Sequence, residues 1–270
     1  MRRAWAFFAA CCWMSAALAQ SDVLIDIDRG RTEGVFTKSP VFQRAILAMP
    51  SKPTDTAVLF FRGYPGIARI ESAADKERNL LPFMKLNQHV FAEAGLALVV
   101  MDCPTDQWNH CNDDYRSSQQ HADDVRSVMA KLRQDYGLTR FYVFGHSMGS
   151  VSSRWLAKNL GNEIAGSIHS ASMNMPNRDG YASSMHNFPY GDIAAPVLHV
   201  HHQNDACRST QYSAVKAYAG DRLATVRGGV GTGDPCGGRH LHSYQGREEP
   251  VVRAIVAWIK TGKIEPYVGE

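Results

Sequence analysis

Residues 141–150 read Phe-Tyr-Val-Phe-Gly-His-Ser-Met-Gly-Ser. Phe141 to Phe144 form a β-branched and aromatic run that meets Gly145-x-Ser147-x-Gly149, and a helical segment through Trp155 and Leu156 to Leu160 follows, with Gly161 as its stop. A strand turning that sharply into a helix holds the serine in a strained backbone conformation. It also needs glycines two residues to either side, because the neighbouring chain packs too close for a Cβ. The corner lifts the Ser147 hydroxyl clear of a sheet and aims a helix N-terminus at it. Glycine and serine are common, so the bare motif says little; its position between strand and helix makes it specific.

The same alternation extends in both directions. Strand-like runs occur at Val23–Ile27, Ala45–Met49, Ala57–Phe61, Leu96–Met101, Phe141–Phe144, Gly166–Ser170, Val197–His201 and Leu223–Val226. Between them, residues 118–136 place Ala122, Val125, Val128, Met129 and Leu132 at helical spacing ahead of Gly137. Residues 248–261 repeat the pattern with Val251, Ile255, Trp258 and Ile259 ahead of Gly262. Strands alternating with helices predict a mostly parallel sheet covered on both faces.

With that order in view, the chain resembles the α/β-hydrolase superfamily along nearly its whole length, which implies an eight-stranded, mostly parallel sheet with helices on both faces. The family places its nucleophile after the fifth strand, its acid after the seventh and its histidine after the eighth. The resemblance therefore makes Ser147 the nucleophile, within an elbow of Gly145, His146 and Gly149. Pro196 to Asp205 is similar to the seventh strand and its acid turn, with His201-His202 where the family often has His-Gly. Asp205 is thus preferred as the acid over Asp192, which precedes the strand. His242-Ser243-Tyr244-Gln245-Gly246 matches the family's histidine segment, and His242 is preferred over His240. The imidazole would take the Ser147 proton while Asp205 holds its tautomer. Phe61-Arg62-Gly63-Tyr64-Pro65-Gly66 resembles the His-Gly-x-Pro-Gly oxyanion loop, which implies N–H donors from Tyr64 and Met148. Arg62 departs from the usual His, and the Tyr64–Pro65 bond is a candidate for the cis form.

Composition excludes several other classes. The 270 residues are 44% apolar and 20% charged, with 22 Gly and 12 Pro, so the chain is neither collagenous nor disordered. The net charge of +3 comes without any run of five like charges, which argues against nucleic acid as a partner. Arg2-Arg3, the apolar stretch Ala4–Ala16 and Ala17-Leu18-Ala19 read as a secretory signal cut after Ala19, leaving one domain over 20–270 with no membrane span. Export to the periplasm or beyond favours disulfides among Cys103, Cys111, Cys207 and Cys236. Three pairings are possible, and the short Cys103–Cys111 spacing favours 103–111 with 207–236.

No C-x-x-C remains in the mature chain, and strand alternation with triad duty accounts for His199, His201, His202, His240 and His242, so neither metal nor cofactor is implied. The glycine-rich stretch 228–238 leads into no immediate helix and reads as flexible support rather than a phosphate loop. Asp102 reads as structural, whereas Trp108 is open between lining the site and packing beneath it. Residues 171–195 are too few for a helical cap domain. The resemblance then implies an open cleft like those of small carboxylesterases and dienelactone-hydrolase-like enzymes, acting on small-molecule esters. An acyltransferase with the same triad and a binding module on the same fold are the alternatives, and the oligomeric state is open.

Overall fold

A computed structural model describes residues 22–109, 111–175, 185 and 188–269. Residues 1–19, read as a secretory signal, lie outside the described residues, as does much of the 171–195 stretch. In chain order the strands and α-helices are β1 (Val23–Glu33), β2 (Ser39–Ala48), β3 (Thr56–Phe61), α1 (Lys76–Asn79), α2 (Pro82–Glu93), β4 (Ala97–Met101), α3 (Asp113–Ser117), α4 (Gln119–Tyr136), β5 (Arg140–His146), α5 (Gly149–Leu160), β6 (Gly166–Ser170), β7 (Val197–His202), α6 (Tyr212–Ala219), β8 (Leu223–Val226), α7 (Glu248–Thr261) and β9 (Tyr267–Val268).

The strands form one sheet in the order β1-β2-β4-β3-β5-β6-β7-β8-β9. β2 pairs antiparallel with both β1 and β4, and every other pairing is parallel. The central strands read as continuous apolar runs because both of their faces are covered. Val58 and Phe60 of β3 join Phe83 and Phe91 of α2 and Ile255 of α7 in one core. Ala57 and Leu59 join Val128 and Leu132 of α4 and Leu156 of α5 in the other. The helix limits follow the expected capping chemistry: Ser118 accepts from the His121 N–H to open α4, and Gly137 closes it at φ 68°.

Among the described residues the sheet has nine strands rather than eight. β9 is two residues long, with Tyr267 registered against Thr225 of β8, and is too short to show the period-2 alternation by which strands are read. β1 also runs six residues past Ile27. Its outer half is polar and only partly buried, because it forms an arm against β2 and α4 rather than a core strand. Arg29 and Arg31 on that arm both reach Asp124 of α4, at 2.7 and 2.8 Å.

A seam of histidine runs through the middle of the sheet. His169 of β6 is registered beside His199 of β7, and both are fully buried. The His169 Nδ1 atom lies 2.8 Å from Ser153 Oγ, whereas His199, ringed by Tyr190, Tyr218 and His169, has no hydrogen-bond partner for either ring nitrogen among the described residues. Burial, reinforced by neighbouring positive charge, pushes His169 and His199 well below the usual histidine pKa. Burial likewise pushes His121 down to about 3. These rings are therefore neutral when folded and take up protons when unfolded near pH 6.5. Their contribution to stability is complete above that pH and is lost progressively below it. The melting temperature is expected to fall by roughly 5 to 15 °C between pH 7 and pH 5. His199→Phe should make that decline shallower, and a melting temperature flat across this range would contradict the reading.

Candidate active site

The strand-to-helix corner is as tight as its glycines imply. Ser147 sits at φ 52°, its N–H donates to Ser170 O at 2.9 Å, and its carbonyl accepts from Ser150 Oγ at 2.6 Å. A Cβ on Gly145 would collide with the Gly149 carbonyl, and one on Gly149 with that of Phe61, so neither position admits a side chain. Ser147 thus stands at the C-terminal edge of the parallel strands, where the loops after β3, β5, β6, β7 and β8 converge.

Those loops enclose a cavity of about 330 Å³. Ser147, Met148, Tyr64, His146 and His242 all line it. The loop after β3 enters with a cis Tyr64–Pro65 peptide, and Gly63 packs under Ser147 so closely that an added Cβ would lie 3.3 Å from the serine Cβ. Arg62, standing where the resemblance calls for His, turns away and donates from Nη1 to Asn79 Oδ1 at 2.6 Å. Asp102 pins the far side of this loop by accepting from the Ala68, Ile70 and Cys103 N–H groups, each at 2.8 Å. Burial raises its carboxyl pKa against those bonds. Trp108 donates to Asp102 Oδ2 and to Cys103 O, so it packs beneath the loop and not along the cavity.

Asp205 and His242 meet as a pair. His242 Nδ1 donates to Asp205 Oδ2 at 2.9 Å, with the two side chains 2% and 0% exposed. Asp205 Oδ1 accepts from the Cys207 N–H at 2.9 Å, and Oδ2 accepts from Thr210 Oγ1 at 2.8 Å, with His201 Nε2 at 3.3 Å. Burial alone would raise this carboxyl. The hydrogen bonds from His201 and His242, with the electrostatic attraction of the ionised carboxylate to their rings, outweigh burial and hold it well below the usual carboxylate range. Ser147 and His242 both line the cavity, and the Ser147 hydroxyl has no hydrogen-bond partner among the described residues. Such bonds commonly tighten only with substrate in place.

The rival residues lie elsewhere. Asp192 is 59% exposed and paired with Lys158. His240 is not part of the cavity wall; its ring packs on Gly231 and its carbonyl accepts the Ser243 and Gln245 N–H groups, closing the turn that carries His242. His202 occupies the position where the resemblance expects glycine. It anchors the glycine-rich loop, donating from Nε2 to Gly228 O at 2.7 Å while Nδ1 accepts from the Asn204 N–H. Among the described residues, no three His, Cys, Asp or Glu side chains are grouped as metal ligands.

Several wall residues carry no signal of their own in the sequence. Leu81, Met173, Ser209, Asp234, Gly237 and Gly238 reach the cavity from four separate segments. The glycine-rich stretch is therefore wall rather than mere support. It is tied down by a disulfide, since Cys236 is bonded to Cys207, and both half-cystines face the cavity. Cys103 is bonded to Cys111 beneath the Asp102 loop. Tyr244, two residues beyond His242, is buried with its hydroxyl 2.6 Å from Ser170 Oγ and 2.9 Å from Val200 O. Its sequence signal is that of an aromatic two residues past a candidate histidine.

Comparisons with known proteins bear on the fold. The family described as serine aminopeptidase, S33, matches residues 112–234, a span that holds Ser147 and Asp205 and ends before His242. Est1E from Butyrivibrio proteoclasticus superposes with a TM-score of 0.58 at 17% identity, over 89% of this chain and 98% of that one. The chain has the α/β-hydrolase fold. The Pyrococcus furiosus esterase Pf2001 shares that fold at a TM-score of 0.57 and 13% identity, covering 89% and 93% of the two chains. FphF, a fluorophosphonate-binding serine hydrolase of Staphylococcus aureus, gives 0.56 at 13% identity over 88% and 97%. No curated protein sequence matches the chain. In this α/β-hydrolase sheet, Ser147, Asp205 and His242 follow β5, β7 and β8.

The 207–236 bridge joins residues 29 apart and links the acid turn to the glycine-rich wall. Chain-entropy reasoning gives it about 3 to 4 kcal/mol of stabilisation. Cys207→Ser with Cys236→Ser is expected to lower the melting temperature and to impair binding in the cavity. Loss of the 103–111 bridge should lower stability alone. Thermal unfolding and ligand titration of the two double variants separate the cases, and equal effects of both on binding would contradict it.

Proposed function

We propose that the chain is an exported serine hydrolase that cleaves carboxylic esters of small molecules through an acyl-enzyme. The observation that carries this reading is the buried His242–Asp205 pair, bonded at 2.9 Å, set on one cavity with a serine held at φ 52°. The esterase names among the structural neighbours support the ester class. Two cysteine pairs at bonding distance fit an oxidising compartment, and no helix among the described residues is long and apolar enough to cross a membrane. The first nineteen residues, read as a cleaved signal, supply the route of export.

In this mechanism Ser147 Oγ attacks the ester carbonyl carbon while His242 Nε2 takes its proton. Asp205, ionised and buried, fixes the Nδ1–H tautomer and stabilises the imidazolium. The Met148 and Tyr64 N–H groups hold the oxyanion of the tetrahedral intermediate, with the dipole of α5 behind Met148. Collapse breaks the ester C–O bond, and His242 returns the proton to the departing alcohol. Water then repeats the sequence on the acyl-serine, with His242 as its base, and releases the acid. The Thr210 hydroxyl contributes by donating to Asp205 Oδ2, which leaves the carboxylate fully bonded without solvent.

Labelling with a fluorophosphonate and turnover of a p-nitrophenyl ester series test the reading. Ser147→Ala is expected to abolish both labelling and turnover in a folded protein. Asp205→Asn and His242→Ala are expected to lower kcat by ~10³ to 10⁵. Retained turnover in Ser147→Ala would refute it, and failure of the wild type to label would favour a binding module. Aminoacyl p-nitroanilides are the control substrates for the peptidase description of the matching family.

A further inference from the structure

The residue between Gly145 and Ser147 has its own polar atom in the cavity. His146 is 1% exposed, and its Nδ1 atom lies 3.0 Å from Ser170 Oγ. Ser170 Oγ lies 2.6 Å from the Tyr244 hydroxyl, which in turn lies 2.9 Å from the Val200 carbonyl oxygen. Only one placement of protons satisfies all three contacts. The carbonyl can only accept, so the single Tyr244 proton goes to Val200 O. The Ser170 proton then goes to the Tyr244 oxygen. Ser170 Oγ must therefore accept from His146, and Nδ1 carries the hydrogen. His146 is left with a lone pair on Nε2.

That lone pair faces the cavity. His146 is part of the cavity wall, and Nε2 is not among the buried polar atoms that lack a partner. The neighbouring Cδ2 atom points at Gly63 of the oxyanion loop, 3.6 Å from where a glycine Cβ would be. Phe83, Tyr244 and His242 pack around the rest of the ring at 5.0, 5.9 and 5.1 Å between centroids, which fixes its orientation. Burial and the nearby His242 hold its pKa well below the usual histidine value, so the ring stays a neutral acceptor.

We propose that His146 is a specificity residue, whose Nε2 lone pair, oriented by the Ser170–Tyr244–Val200 chain, accepts a hydrogen bond from a hydroxyl or N–H group that the substrate carries beside its scissile carbonyl. This rests on the ester-hydrolase reading of the same cavity. A site built around a buried acceptor discriminates against a substrate with nothing to donate, because the acceptor has lost its water and gained no partner. The preferred substrates are then esters of hydroxy acids or N-acylamino acids on the acyl side, or monoesters of diols on the alcohol side.

Two matched substrate pairs distinguish these sources without requiring a variant. A 2-hydroxyacyl ester is compared with its 2-methoxyacyl analogue, and a 2-hydroxyethyl ester with its 2-methoxyethyl analogue. Wild type is expected to favour the hydroxyl member of one pair by about tenfold in kcat/KM. His146→Phe, which keeps the ring and removes the acceptor, should bring that ratio near unity. Tyr244→Phe frees the Ser170 proton to turn towards Nδ1, which places the histidine hydrogen on Nε2, so it should lower the ratio several-fold. Fluorophosphonate labelling at Ser147 is established first, so a failure of the hydrolase reading is recognised independently. In labelled, active wild type, ratios near unity for both pairs would overturn the proposal, as would a ratio unchanged in folded His146→Phe.

Discussion

The backbone at Ser147 occupies a region that L-residues avoid, and it stays there because nothing around it can yield. Gly145 and Gly149 touch carbonyl oxygens on either side, the Ser147 N–H is taken by Ser170 and its carbonyl by Ser150. Strain of this kind costs on the order of 1 to 3 kcal/mol, and it persists only where the surroundings over-determine it. Two packed core faces supply that rigidity. β5 lies between β3 and β6, and Phe141, Val143 and Phe144 are all buried. The serine hydroxyl is thereby presented at a fixed point without any mobile element having to place it.

The partner half of the site answers a different constraint. A carboxylate with no solvent exposure is tolerated only when its oxygens are matched by donors, since an unpaired buried charge would protonate or disrupt the fold. Asp205 has the Cys207 N–H on one oxygen, with Thr210, His242 and His201 clustered on the other. The carboxylate thereby organises its own turn while orienting His242. Thr210 and Cys207 lie within five residues of it, so the acid turn is locally self-consistent before the histidine arrives from 37 residues away. Tyr244 then fixes the histidine turn to β6 and β7, and Ser170, to which it bonds, also holds the Ser147 N–H through its carbonyl. One strand end thus holds both the serine and the histidine.

What could be read in the sequence divides along the same line. The β5–α5 corner was legible because its signals are local: apolar run, two glycines and a helical segment within twenty residues. The eight longer strands were legible for the same reason, whereas β9 has no periodicity to read. Asp205 and His242 were assigned by strand order and resemblance, not by any property of their own residues. Thr210, Ser170 and Asp234 were invisible, because a serine or threonine gives no sign of which distant group it will bond. His202 shows the limit from the other side. Its departure from the expected glycine was plain, but its duty of holding Gly228 depends on a loop 26 residues further on.

The cavity is built from parts of unequal firmness. Its floor, formed by Gly63, Ser147 and Met148, rests on the sheet and the first turn of α5. Its outer wall of Asp234, Cys236, Gly237 and Gly238 belongs to a loop with little apolar packing. A glycine-rich wall has the greatest conformational entropy to lose, so a covalent tie to Cys207 has most effect there. His202 holds one end of that loop at Gly228, and Cys207 holds Cys236 nearer its other end. Both anchors flank Asp205 in sequence. The Asp205 turn therefore serves two purposes at once, holding the His242 ring on one side and the glycine-rich wall of the cavity on the other.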